Sequence, residues 1–224
     1  MKKLIYLALF LFAIVSCKKE NKEVDLHLDY FPLDEGRFWE YDVTHYRYSI
    51  TDQNLDTINY TLKVKVGDTV IDNQGRVAHK IYRYIYDTLN NEYDLKDVWT
   101  AIINDYKAEM VEENQRMIKL VFAPTEEKEW DINAYNIWDP MNAMYENIHD
   151  SYTINGFTFE KTVKVLHEYQ EANMINYINK YEIYAKGVGM VEKTYIDIEF
   201  DNFDVEKPTG GEKLFYKLTN YGVE

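Results

Sequence analysis

The sequence predicts a mainly β protein: one antiparallel sheet that curls into a half-barrel, a barrel or a sandwich, with at most one short helix. Three observations lead there. Apolar and polar residues alternate in run after run, the period of a half-buried strand. These runs are short and are separated by Gly, Asn, Asp and Pro, the residues that make turns. The chain also carries 21 Tyr and 10 Phe, and aromatic side chains favour pleated, half-buried positions.

Tyr30-Phe31-Pro32-Leu33 is the first apolar stretch of the expected domain, and Asp34-Glu35-Gly36 turns the chain after it. Trp39, Tyr41 and Val43 then alternate with Glu40, Asp42 and Thr44. Tyr60, Leu62, Val64 and Val66 alternate with Thr61, Lys63 and Lys65, a cleaner strand still. Asp72-Asn73-Gln74-Gly75 reads as a hairpin turn. Val77 to Tyr86 follows as a long strand, with Val77, His79, Ile81, Arg83 and Ile85 on one face. Asp97–Asp105 and Tyr106–Glu112 form an expected strand pair, and Met117–Phe122 a further strand that Pro124 stops.

Thr125–Asn136 is polar and aromatic, with Trp130 and Trp138 eight residues apart. Met141, Met144, Tyr145 and Ile148 fall at helical spacing, so Pro140–His149 is the expected short helix. Strands resume at Tyr152–Ile154, Phe157–Tyr169, Asn173–Tyr184 and Val191–Phe200. Pro208-Thr209-Gly210-Gly211 is an expected loop before a last strand at Lys213–Leu218. The total is nine or ten strands, with no internal repeat.

Ahead of this domain, Met1-Lys2-Lys3 is cationic, and Leu4 to Val15 is an uncharged apolar run. That run is too short for a bilayer span, which needs about 20 apolar residues, and it has the length of a signal-peptide core. Ile14-Val15-Ser16-Cys17 closes it and resembles a bacterial lipobox, in which a small residue precedes a cysteine that is lipidated and becomes the new N-terminus. The resemblance implies a signal peptide over residues 1–16 and a lipid-anchored flexible tether over residues 17–29. A single domain then spans residues 30–224. Cys17 is the only cysteine, so the domain holds no internal disulfide. One acyl chain anchors weakly and two or more anchor firmly; a lipoprotein cysteine carries two or three, palmitate among them.

Three stretches are similar to lipoproteins of the Bacteroidota: Phe31-Pro32-Leu33 with Gly36, Trp39 and Tyr41; Trp130-Asp131-Ile132-Asn133-Ala134-Tyr135-Asn136; and Tyr184-Ala185-Lys186-Gly187-Val188-Gly189-Met190-Val191. Gly211, Leu214, Tyr216, Leu218, Tyr221 and Gly222 fit the same pattern, whereas Ile132 stands where the pattern has glycine. The resemblance implies a cell-envelope protein of the outer membrane, on its periplasmic or its surface face. By fold analogy it suggests a half-barrel of the lipoprotein-carrier type. It assigns no activity. Lys18-Lys19-Glu20-Asn21-Lys22-Glu23 loosely resembles a surface-display signal of the same phylum and reads equally well as a solvated linker.

The formal charge is −14, and removing Lys2 and Lys3 makes it two units more negative. A nucleic-acid partner is therefore not expected, since binding phosphate requires a basic face. The acidity also repels anionic lipid, which leaves Cys17 as the expected membrane contact. Of His27, His45, His79, His149 and His167, no two stand at metal-ligand spacing, so no metal or cofactor is expected. Gly-x-Ser-x-Gly is absent, and Gly187-Val188-Gly189 opens no helix, which makes it a strand bulge rather than a phosphate loop. Glu126-Glu127-Lys128-Glu129 reads as a solvated charge run. Trp130, Tyr135 and Trp138 are expected first as core plugs that cap the open end of a curled sheet, and second as candidate ligand or interface aromatics.

The expected function is that of a non-catalytic binding or accessory module. Its partner would be a lipophilic ligand or an envelope protein. The alternatives are a hydrolase of envelope glycans and a structural partner in an outer-membrane assembly.

Overall fold

The computed structural model describes residues 24–49, 55–126 and 128–224. The signal peptide, Cys17 and most of the expected tether lie outside these residues. Among the described residues the chain forms twelve strands: β1 Arg37–Tyr48, β2 Leu55–Ile71, β3 Val77–Asp87, β4 Glu92–Asn104, β5 Lys107–Glu112, β6 Gln115–Val121, β7 Glu129–Asp131, β8 Asn142–Ile154, β9 Phe157–Gln170, β10 Asn176–Ala185, β11 Gly189–Phe200 and β12 Pro208–Val223. The helical content of the described residues is one 3-10 turn at Leu28–Tyr30.

All twelve strands belong to one antiparallel sheet, in the order β6-β5-β4-β3-β2-β1-β12-β11-β10-β9-β8-β7. Strands consecutive in sequence thus pair, except β6 and β7, which are the two edges of the sheet, and β1 and β12 meet in a long ladder from Arg37↔Val223 to Tyr48↔Gly211. The sheet curls until its two outer strands face each other, giving a nearly closed barrel. Side chains and one backbone bond hold this seam. The Ile118 N–H donates to the Ile132 carbonyl at 3.0 Å, and the Trp130 indole N–H donates to the Ile118 carbonyl at 3.0 Å. The Tyr145 hydroxyl accepts from the Val121 N–H and donates to the Val121 carbonyl, both at 2.9 Å. These bonds occupy groups that an open edge strand would offer to another chain.

Alternation sets what points inward. Trp39, Tyr41 and Val43 on β1, Leu62 and Val66 on β2, and Val163 and Val165 on β9 are buried in one continuous core inside the barrel. Burying a large aliphatic or aromatic side chain contributes about 1.5–3 kcal/mol each, which is why the pattern decides the register.

Two elements differ from expectation. Pro140–His149 is not a helix; it lies largely in β8. Ala143 and Tyr145 face inward in ordinary alternation, and then the ladder to β9 slips between Glu146 and Tyr152. Asn147 and His149 have positive φ in that slip. A bulge inserts extra residues into one strand and converts a period of two into one that imitates a helix. Pro208–Gly211 is likewise not a loop but the start of β12, paired with Ile198, Glu199 and Phe200. Pro is tolerated at a strand's first residue. Gly211 has φ +88°, and a Cβ there would sit 2.1 Å from the Asp197 carbonyl oxygen, so only glycine permits this approach.

The stretch expected as a tether through Asp29 is packed from Asp25 onward. Lys186 Nζ donates to Asp25 at 2.9 Å, the Gly187 N–H donates to the Asp29 carbonyl at 2.8 Å, and Leu26 lies against the core.

Candidate functional site

The barrel interior is not completely filled. A cavity of about 100 Å³ lies inside it, and Phe31, Pro32 and Leu33 line it together with strand residues. Tyr30 precedes that segment. It is fully buried, and its hydroxyl lies 2.7 Å from His149 Nδ1.

The cavity's apolar wall is built from inward strand positions, chiefly Trp39, Leu62, Ile81 and Met190. Trp39 ties β1 to the turn between β10 and β11. Its indole N–H donates to the Val188 carbonyl at 2.7 Å, and its ring lies 3.1 Å from where a Cβ on Gly189 would be. Tyr41 adds a second tie, donating to the Met190 carbonyl at 2.9 Å. Gly187 and Gly189, both at positive φ, shape the turn itself, and the ladder slips just before it, between Ile183 and Tyr184.

Five charged side chains also face the cavity: Arg83, Glu112, Lys119, Glu182 and Lys193. Lys119 on β6 reaches across the interior to Glu182 on β10 at 2.8 Å and to Glu112 at 3.2 Å. Glu182, almost wholly buried, also accepts from the Tyr184 hydroxyl at 2.6 Å and lies 3.5 Å from Lys193. Burial by itself would raise the Glu182 carboxyl, but Lys119 and Lys193 outweigh it and hold the group well below the usual carboxylate range. Burial by itself would lower Lys119, but Glu112 and Glu182 outweigh it and leave the ammonium more firmly protonated than usual. Burial, reinforced by Glu182, pushes the Tyr184 hydroxyl well up. These three groups therefore keep fixed protonation states around neutrality.

His167 lies beside this cluster, its Nε2 3.8 Å from Glu182 and without a hydrogen-bond partner. Burial is the main cause that lowers its pKa from 6.5 to about 4. A depressed folded-state pKa means that the unfolded chain binds the proton first. The stabilisation is thus present above pH 6.5 and is lost as pH falls toward 4. Between about pH 7.5 and pH 5, unfolding free energy should drop by about 2 kcal/mol on this account. Urea titrations at the two pH values check it: His167→Gln should flatten that slope, and an unchanged slope would mean that His167 is not its source.

The sequence-predicted aromatics do not share one surface. Trp130 is buried at the seam, whereas Tyr135 and Trp138 are half exposed, with Ile137 between them 89% exposed. Lys107 donates to the Tyr135 hydroxyl at 2.8 Å. None of the three candidates lines the cavity. Cys17 lies outside the described residues. His27 and His149, far apart in sequence, meet edge to face at 4.5 Å. The described residues hold no group of three or more His, Cys, Asp or Glu placed to ligate a metal.

Sequence reasoning missed the charged interior. A signal was present: Arg83 stands on the same face as Ile81 and Ile85, and a charge amid an apolar face is rarely buried without a partner or a purpose.

No protein-family model and no curated protein matches the chain. Two solved structures resemble it. One is described as an exported protein with a YmcC-like fold from Bacteroides fragilis, 12% identical, with a TM-score of 0.42, covering 86% of this chain and 98% of that one. The other is described as a lipoprotein from Parabacteroides distasonis, 11% identical, with a TM-score of 0.38 and the same coverage of both chains.

Proposed function

We propose that this chain is a lipid-anchored, non-catalytic binding module of the cell envelope, attached to the outer membrane through Cys17, and that it holds a small ligand inside its barrel. The observation that carries this reading is the interior cavity, walled by Trp39, Leu62, Ile81 and Met190 and bounded by an ordered set of charges. Ligand sites are concave and mostly apolar, with a few fixed polar groups, and this one has both features.

The same geometry favours binding over catalysis. Proton transfer is most efficient when the acid or base has a pKa near the working pH. Here Lys119 and Tyr184 are held protonated and Glu182 ionised. Glu112 and Glu182 are the carboxyl pair a glycosidase would need, yet both are bridged by Lys119, and Glu182 is held below the usual carboxylate range, the opposite of a general acid. A cavity of about 100 Å³ also falls well below the several hundred Å³ typical of sites for larger ligands.

One observation favours a second reading, a protein partner: the exposed tip formed by Tyr135, Ile137 and Trp138, since aromatic side chains are enriched at interfaces.

Two experiments test the proposal. Cys17→Ala should move the protein out of the detergent phase while leaving the far-ultraviolet spectrum of the β domain unchanged; a variant that stays with the membrane would refute the anchor. Native mass spectrometry after mild extraction should show a small molecule retained by the wild-type chain. A co-purifying protein with no small molecule would favour the second reading. A bare chain that cleaves envelope polysaccharide, and stops when Glu112 and Glu182 are both amidated, would overturn the non-catalytic reading.

A further inference from the structure

Arg83 is the cavity's least satisfied charge. It is buried, and its guanidinium carbon lies 3.6 Å from the centre of the Trp99 ring. It makes two long hydrogen bonds, to Asp97 at 3.3 Å and to the Tyr216 hydroxyl at 3.5 Å. A guanidinium has five N–H donors, so most of its donor capacity meets no side-chain acceptor among the described residues. Asp97 is itself shared, because Lys96 takes the same oxygen at 2.7 Å. The other four charges, Glu112, Lys119, Glu182 and Lys193, are engaged with one another.

Three cations and two anions line the cavity, and Asp97, paired with Arg83 at 3.3 Å, balances the set. What favours an anion attached to an apolar body is therefore the spare N–H capacity of Arg83 beside an apolar wall. Arg stacked on an aromatic ring keeps its fork in plane and so presents paired N–H groups to a carboxylate.

Resting on the reading of the cavity as a ligand site, we infer that the ligand is a small apolar carboxylate. Its chain or ring lies against Trp39, Leu62 and Ile81, and its carboxylate is held by the Arg83 guanidinium. The volume fits a short acyl chain or a single ring rather than a whole lipid.

The test uses the full chain extracted in non-ionic detergent and three probes of one length: hexanoate, hexanol and hexylammonium. Binding is read by the fluorescence of Trp39 and Trp99, which both line the chamber, and by calorimetry. Hexanoate should bind at least tenfold more tightly than hexanol. Arg83→Gln should bring hexanoate down to the hexanol level and leave hexanol unchanged; Arg83→Lys should give an intermediate loss. Equal binding of hexanoate and hexanol to the wild type would overturn the carboxylate and leave the cavity reading standing. Preference for hexylammonium would overturn it in favour of Glu112 and Glu182. Binding of none of the three would overturn both. If Arg83→Gln does not fold, the wild-type series alone still decides between these outcomes.

Discussion

Replacing Lys119 with alanine should lower the unfolding free energy by about 3–5 kcal/mol, the usual cost of leaving a buried charge without its partner. Lys119 lies in the barrel interior with Glu182 at 2.8 Å and Glu112 at 3.2 Å. Its removal leaves Glu182, 1% exposed, with Lys193 at 3.5 Å as its nearest ammonium. The loss is a penalty for the orphaned carboxylate, not a measure of what the pair contributes, and a second variant separates the two. Lys119→Met combined with Glu182→Leu fills similar space with apolar atoms and should recover most of the loss, because a buried pair and a well-packed apolar substitute are often nearly equivalent. Denaturant midpoints of the single and double variants form the cycle. If the double variant is as unstable as the sum of the singles, Lys119 and Glu182 are not coupled in solution.

Trp39→Ala should cost about as much, 3–5 kcal/mol, the range for deleting a buried large aromatic. Two effects combine. The indole fills the space between β1 and Gly189, where the backbone approaches its ring too closely for any larger residue without a shift. Its N–H also satisfies the Val188 carbonyl at 2.7 Å, which would be left without that donor. Trp39→Phe restores most of the volume but not the bond and should cost about 1–2 kcal/mol, the range for a lost buried hydrogen bond. A midpoint shift below about 1 kcal/mol for Trp39→Ala would mean that the turn between β10 and β11 is held by Tyr41 alone.

Strand positions were legible wherever one face is buried and the other wet. Trp39, Tyr41 and Val43 on β1, and Leu62 and Val66 on β2, alternate in sequence as they do in space. The pattern misled where the pleat is interrupted. Residues 147–149 swap a β period for a helical one, and Gly211 hides a strand start behind a composition typical of loops. Curling was foreseeable from the number of strands, but near closure was not. It depends on Ile118, Trp130 and Tyr145 meeting across the seam, contacts between positions with no shared periodicity.

The candidate site was less legible than the fold. Trp130 drew attention as an aromatic in an irregular stretch, and it belongs to the seam. The cavity's charges come from β3, β5, β6, β10 and β11; apart from Arg83, which stands amid an apolar face, each is an unremarkable Lys or Glu in its own strand, and only the closing of the sheet brings them together. The five histidines gave no metal spacing in sequence, which said nothing of His167, whose pKa is lowered by burial against the opposing pull of Glu182.

The ladder between β1 and β12 also bears on how the chain is assembled. Every other ladder joins strands that are consecutive in sequence and closes a short loop. The β1–β12 ladder brings together residues about as far apart as the domain allows, and ordering so long a connection is the slow kind of step. Until β12 has been made, β1 and β11 each present a long unpaired row of N–H and C=O groups, the usual template for wrong pairing between chains. A chain emerging in order, N-terminus first, spends its whole synthesis in that state. Avoiding wrong pairing then depends on keeping those rows unpaired until β12 arrives.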